Sequence, residues 1–494
     1  MRLFEWLVVA AVVAIAWEWA RGRRPGVRLG MLAAVLVAAS IVVEGQRAAM
    51  WPAYVVAGIA ALMAVRGVGA TEGAVRGGGL RVVGRGLGAL VVVLLGVGLP
   101  VVWPVIKLPK PSGPYPVGTV WLVVRDSARH ERFSSVPGAV REFPVKVWYP
   151  APAGTTGASA PYAEPAEMTA LGLIPKLLTR QATLIKTHSI AGAPMVEGRA
   201  PVLIFSHGYT GYAAQNTPQM EELASRGYVV ASIAHTGEAS WTPFPDGHGV
   251  PIDSGVLNSM TRQMKQGIKA ADQKRMFDSV SAALAVPDLA LRQAGFRRFL
   301  DLSPEPLRSA SVREWALDTK VLVDRLGALN AGAVPSPFKD RLDLEHLGVF
   351  GMSYGGATAG EFCRLDRRCR AAINIDGGQY GGLIDDSLTV PLLILASEQA
   401  YGVHLPVLDL TRGPAYLAAV PATNHIGLTD LSLQGPLFRW AGITGKLDPG
   451  RREDIMTAFV VGFFEKYLMG RSPELFDGLP ARFPEVKITK RNVP

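Results

Sequence analysis

The run His346-Leu347-Gly348-Val349-Phe350-Gly351-Met352-Ser353-Tyr354-Gly355-Gly356 is compatible with few folds. A β-rich stretch leads into a glycine-flanked serine, and Ala357-Thr358-Ala359-Gly360 behind it permits a helix. G-x-S-x-G at a strand-to-helix turn is a nucleophile elbow: the sharp turn lifts the hydroxyl out of the sheet, and the glycines let neighbouring backbone pass without a clash. With 54 Gly in 494 residues, composition alone yields roughly 0.3 such pentapeptides per chain, so the bare pattern carries little. The strand before it and the helix after it carry the inference. They predict an α/β chain of the α/β-hydrolase type, a mostly parallel sheet flanked by helices, with Ser353 as nucleophile.

A chain of 494 residues exceeds one ordinary domain, and its composition changes abruptly near Pro111. The hydrophobic excess, 49% overall, sits in the first hundred residues as four apolar runs, 3–20, 29–43, 51–65 and 87–106. About 20 helical residues cross a hydrocarbon core of about 30 Å. Four transmembrane helices are therefore expected, the second and third borrowing flanking residues. A cleaved signal peptide is disfavoured, because Arg2 is the only basic residue before the first run and no small-x-small site follows it. The first loop carries Arg21, Arg23, Arg24 and Arg28, the second only Arg47, and the third Arg66, Arg76, Arg81 and Arg85. Basic loops stay cytoplasmic, so both termini are expected outside and the catalytic part extracytoplasmic, in a protein of the cell membrane. The sequence shows no acidic–basic pair inside the runs, which argues against a pump or channel, and Glu18 and Glu44 read as solvated segment ends.

The organisation that follows is a four-span region over 1–107, a Pro-rich linker over 108–116 and a catalytic domain over 117–494 with an insertion at about 237–310. The net charge of +10 does not point to nucleic acid, because much of the Arg lies between apolar segments rather than on one amphipathic face. Two cysteines, Cys363 and Cys369, exclude a disulfide framework and suggest no zinc site; free thiols and a local disulfide both remain open.

Within the catalytic part, 120–125 and 144–149 read as the first two strands, 151–165 as a surface loop and 167–190 as a core-packing helix. Pro201 to Ser206 is a continuous apolar run, as in a strand buried on both faces of a parallel sheet, and it opens into His207-Gly208-Tyr209. A Gly-containing loop there supplies the first oxyanion amide of this fold and the residue after the nucleophile the second, so the candidate donors are the N–H groups of Tyr209 and Tyr354. His207 itself reads as structural. Strands are further expected at 228–235, 371–376, 389–397 and 416–420, the last being the final one, with helices at 312–329 and 452–469. The 237–310 insertion reads equally well as a lid or as a solvated excursion.

A serine hydroxyl needs a base, and the base an orienting acid. In this fold the chain order is Ser, acid, His, and only His404 and His425 follow the elbow. His425, ending a strand, is the favoured base; His404 is placed in a loop. Asp376, at a strand end before Gly377-Gly378, is the favoured acid, with Glu398 a serious rival and Asp385/Asp386 read as solvated.

The elbow, the strand Ala372-Ile373-Asn374-Ile375-Asp376, the run Leu393-Ile394-Leu395-Ala396-Ser397-Glu398, Asn424-His425 and the loop Ser206-His207-Gly208-Tyr209 together resemble the plasma-type platelet-activating factor acetylhydrolases and their bacterial relatives. The resemblance covers roughly 117–480 and departs in the membrane segments and the insertion. It implies a carboxylic ester hydrolase with catalytic Ser353, Asp376 and His425, with the acid after the strand that follows the elbow. It further implies acyl-ester or lipid substrates, among them short-chain or oxidised phospholipids, and calls for no metal or organic cofactor.

Overall fold

In a computed structural model, which describes residues 1–23, 25–65, 79–172, 174–266, 278, 286, 288–302 and 309–493, the N-terminal apolar runs are helical. They form helices Leu3–Ala20, Val27–Ala39, Trp51–Val65 and Gly79–Val93. The second is prolonged by a π-helical turn to Glu44, and the last runs on through Leu94–Gly98 and Leu99–Val102. Among the described residues three stretches, Leu3–Ala20, Val27–Glu44 and Val82–Val102, are long and apolar enough to cross a membrane. The third expected span, 51–65, falls short, because the apolar helix over Ala48–Met63 has fewer than 18 residues. Arg24, Arg66 and Arg76, used above for orientation, lie outside the described residues.

The charged groups at one end of these helices are not solvated as expected. Glu5, fully buried, pairs with Arg47 at 3.2 Å and with Arg2 at 2.7 Å, while Glu44 accepts the N–H groups of Phe4 and Glu5. Glu44 thereby satisfies two of the N–H groups that a helix start leaves without intrahelical partners. These helices form one compact unit that also takes in two later stretches, Pro175–Ile185 and Gln434–Ala441. Gln181 and Gln434, one from each stretch, donate to the Pro104 carbonyl at 3.1 and 2.8 Å.

That grouping explains why the expected helix over 167–190 does not form. Pro175 interrupts it, leaving a 3₁₀ segment Glu167–Gly172, one helical turn Lys176–Thr179 and a 3₁₀ turn to Leu184, after which Lys186–Ala191 is a strand. The stretch is divided between two separate units.

The second unit holds an eleven-stranded sheet. In chain order its strands are β1 (Val117–His130), β2 (Val140–Pro150), β3 (Ser159–Pro161), β4 (Lys186–Ala191), β5 (Ala200–Ser206) and β6 (Val229–Ile233). After the two-stranded ribbon β7 (Trp241–Pro243) and β8 (Gly249–Pro251) come β9 (Leu342–Met352), β10 (Cys369–Ile375), β11 (Leu392–Ser397), β12 (Ala415–Val420) and β13 (Lys487–Arg491). The spatial order is β13-β12-β11-β10-β9-β5-β6-β2-β1-β4-β3, parallel from β12 to β6. The antiparallel edge strand β13 follows the strand expected to be last, its sequence Lys-Ile-Thr-Lys-Arg being too polar to announce a strand. On β5, Val202 and Ile204 pack toward Leu322 and Leu326 of helix Ser309–Asn330. Leu203 and Phe205 belong to the opposite core with Phe459, Phe463 and Phe464 of helix Pro449–Tyr467. Alternate side chains of one strand thus enter two cores, and each fully buried Leu or Phe contributes about 2 kcal/mol of transfer free energy. Much of the insertion, including 267–277 and 303–308, lies outside the described residues, and so does the question of a lid.

Candidate active site

The elbow is built by close approach. A Cβ on Gly351 would strike the Gly355 carbonyl, and one on Gly355 would strike the Ser206 carbonyl at the end of β5, so any larger residue would push helix Tyr354–Leu365 off the sheet. Ser353, at the turn, is held at φ 54°, ψ −118°, a conformation that costs of order 1–3 kcal/mol and persists because its surroundings fix it. Its N–H donates to Ile375 O at 2.7 Å and its carbonyl accepts from Gly356 and Ala357.

Four of the five expected site residues come from loops at the carboxyl ends of parallel strands, and Tyr354 opens the helix behind the elbow. Ser353 follows β9, Asp376 follows β10, His425 follows β12 and Tyr209 follows β5. His425 Nε2 lies 2.9 Å from Ser353 Oγ, and Nδ1 lies 2.8 Å from Asp376 Oδ2. Nδ1 therefore carries the proton and Nε2 faces the hydroxyl as acceptor. Asp376 is buried while the His425 side chain is 44% exposed, so the imidazole is reachable from solvent and the carboxylate behind it is not. The other carboxylate oxygen, Oδ1, accepts the Ser397 N–H at 2.7 Å. Burial alone would push the Asp376 carboxyl up; the imidazoles of His404 and His425 beside it reverse this and hold it well below the usual carboxylate range.

The other candidates lie elsewhere. His404, expected in a loop, lies in helix Tyr401–Leu410, buried, with Nε2 3.7 Å from Asp376 Oδ1 on the side away from the serine partner. Glu398 is an exposed residue that accepts the Ala422 N–H at 2.9 Å. Asp385 pairs with Arg297, and Asp386 lies 3.7 Å from Arg364. His207 is buried, its Nδ1–H donating to Gly208 O at 2.6 Å and its Nε2 accepting from the His235 N–H at 3.3 Å. Burial, then the neighbouring His235, pushes it down to about 3, so it is neutral at any working pH.

The loop after β5 runs close to Ser353, since a Cβ on Gly208 would sit 3.3 Å from Ser353 Cβ. Gly208 N–H donates to Gln215 Oε1 at 2.7 Å, Thr210 N–H to Glu238 O at 3.0 Å and Gly211 N–H to Gly208 O at 2.7 Å. Among the described residues the Tyr209 N–H has no acceptor. The Tyr209 and Tyr354 rings stand 5.0 Å apart. Gln215 and Ser397 escaped sequence reasoning because each acts through one atom set by the turn of the chain, which leaves no residue pattern. Among the described residues no group of three His, Cys, Asp or Glu is placed to hold a metal ion.

A family profile described as platelet-activating factor acetylhydrolase, isoform II, matches residues 102–254. The platelet-activating factor acetylhydrolase of Cavia porcellus is 23% identical over 373 residues, spanning 73% of this chain and 78% of that one. The chain is a distant relative of the platelet-activating factor acetylhydrolases. The acetylhydrolase of Gallus gallus, 24% identical over 283 residues, is matched over 54% of this chain and 62% of its own. A ferulic acid esterase from Streptomyces cinnamoneus superposes with a TM-score of 0.58 at 26% identity, over 78% of this chain and all of the esterase. Like these acetylhydrolases and the esterase neighbour, the chain is an ester hydrolase.

Proposed function

We propose that this chain is a membrane-anchored serine ester hydrolase, acting through a Ser353–His425–Asp376 triad and an acyl-enzyme on acyl esters presented at the outer face of the cell membrane. Short-chain and oxidised phospholipids are the proposed substrates. The observation that carries the reading is the unbroken path from Ser353 Oγ through His425 to the buried Asp376, at 2.9 and 2.8 Å.

Ser353 Oγ attacks the ester carbonyl as His425 Nε2 takes its proton; the same proton then goes to the departing alcohol. Asp376 keeps Nδ1 protonated and stabilises the imidazolium. The N–H groups of Tyr209 and Tyr354 receive the developing oxyanion, each worth about 3 kcal/mol of transition-state stabilisation. Water activated by the same imidazole releases the acyl group.

Three long apolar helices support anchoring. The Cys363–Cys369 disulfide supports an oxidising, extracytoplasmic compartment for the hydrolase, since such bonds persist there. With the N-terminus outside, that sidedness requires the short helix Trp51–Val65 to cross as well.

In the test, Ser353→Ala loses p-nitrophenyl acetate turnover and fluorophosphonate labelling while remaining folded; undiminished labelling of the variant refutes the nucleophile. Labelling of intact cells by a membrane-impermeant fluorophosphonate tests sidedness, and protection until lysis refutes it. An acyltransferase of the same chemistry is distinguished by added alcohols intercepting the acyl-enzyme.

A further inference from the structure

Beneath the oxyanion loop lies a second Ser–His–Asp geometry, sealed from solvent. Ser206 Oγ lies 3.1 Å from His235 Nε2, and His235 Nδ1 lies 2.8 Å from Asp318 Oδ2; all three residues are fully buried. Asp318 is further bound by Arg141, through Nη2 at 2.6 Å and Nε at 3.1 Å, and by Arg129 Nη2 at 2.7 Å. No ester can reach this serine. Burial, outweighing the Asp318 carboxylate, pushes His235 down to about 4, so its ring is a neutral structural link.

The contacts of this array lead to the proposed active site. Trp315, one turn before Asp318 on helix Ser309–Asn330, stacks on His235 with ring centres 3.8 Å apart and planes within 8°. The same indole packs against the rings of Tyr209 and Tyr354 at 6.2 and 5.1 Å. Its Nε1–H donates to Glu238 Oε2 at 2.7 Å, and the Glu238 carbonyl accepts the Thr210 N–H. On the other side of Tyr209, His207 fixes the Gly208 carbonyl while taking the His235 N–H. Both neighbours of Tyr209 in the chain are thereby tied to one buried platform.

We infer that Trp315 and His235, clamped by Asp318, are positioning residues that fix the peptide plane presenting the Tyr209 N–H to the oxyanion. This rests on Ser353 as nucleophile and Tyr209 as donor. A donor lowers the barrier only if it is already aimed where charge develops, and a misplacement of about 1 Å costs on the order of 100-fold in rate.

The experiment compares full-length Trp315→Leu and Trp315→Phe in detergent micelles, with rates normalised to active sites counted by fluorophosphonate stoichiometry. Trp315→Leu should lower kcat per site by about 10- to 100-fold with KM within about threefold, and weaken a trifluoromethyl ketone inhibitor in the same ratio. Trp315→Phe, which still stacks but lacks the N–H, should recover part of both. Partial unfolding lowers the site count without moving either per-site value. Unchanged per-site kcat and inhibitor affinity in Trp315→Phe together with any countable Trp315→Leu overturn the proposal; if Trp315→Leu yields no sites, Trp315→Phe alone decides. Turnover surviving in Ser353→Ala would instead overturn the nucleophile reading, whatever the Trp315 variants do.

Discussion

Replacing Asp376 by Asn tests the proposed triad at its most constrained position. The Ser397 N–H, 2.7 Å from Oδ1, is a fixed backbone donor, so the amide must place its oxygen there. Its NH₂ then occupies the Oδ2 position, 2.8 Å from His425 Nδ1. Two donors cannot face each other, and the imidazole must shift its proton to Nε2. That nitrogen, 2.9 Å from Ser353 Oγ, then donates to the hydroxyl that it should deprotonate. Wrong-tautomer substitutions in triads of this kind cost about 10⁴ in kcat, or about 5.4 kcal/mol of barrier. The substitution is isosteric and keeps the Ser397 bond, so the fold should survive. Steady-state hydrolysis of p-nitrophenyl acetate with a parallel thermal melt measures both quantities. A folded Asp376→Asn enzyme within tenfold of the parent kcat would refute the tautomer reasoning, and an equal loss in Glu398→Gln would reassign the acid.

Asp430, fully buried against the Tyr162 hydroxyl at 2.6 Å, is pushed from 3.8 up to about 6 by burial. Between those values the folded chain holds a proton that the unfolded chain has released, so stability should fall by about 3 kcal/mol as pH rises through that window. Asp430→Asn should remove this dependence, and a urea-midpoint difference between the two proteins that is the same at pH 4 and pH 7 would contradict it. Asp376 has the opposite sign: held below its ordinary 3.8, it stabilises the fold above that pH and the benefit disappears as pH falls beneath it, so acid unfolding of the parent should be steeper than that of Asp376→Asn. The Cys363–Cys369 bridge closes a short loop at the end of the elbow helix, and Cys363→Ser with Cys369→Ser should lose about 2 kcal/mol of stability with kcat unchanged; a loss of activity at full folding would tie the bridge to the site. Gly355→Ala, whose Cβ would enter the Ser206 carbonyl, should destabilise by about 3 kcal/mol or more and abolish labelling, and a stable, active variant would show that the elbow tolerates separation from β5.

The parallel sheet was legible because its strands are continuous apolar runs bounded by glycine and polar loops, a pattern that reports burial on two faces directly. That Ser353, Asp376 and His425 would meet was legible because each follows such a strand in the order this fold imposes. Periodicity could not tell that the run over 167–190 is divided between two units, so the expected single helix does not form. The polar edge strand β13 escaped for the complementary reason: an edge strand is held by backbone hydrogen bonds that any side chain can accompany. The charged cluster of Arg2, Glu5, Glu44 and Arg47 was invisible because its members are up to 45 positions apart, and each taken singly reads as a solvated helix end.

The sequence alone determined the alternation of apolar strands and polar turns, the serine between its glycines and the membrane-length helices, since these depend on what local backbone geometry and burial permit. Tertiary structure decided which of two histidines faces the serine and which of three acidic candidates lies behind it. It also decided that a second serine, histidine and aspartate are sealed beneath Trp315. Hydrogen-bond reach and solvent access are set by distances across the sheet, and residue order does not encode those one position at a time.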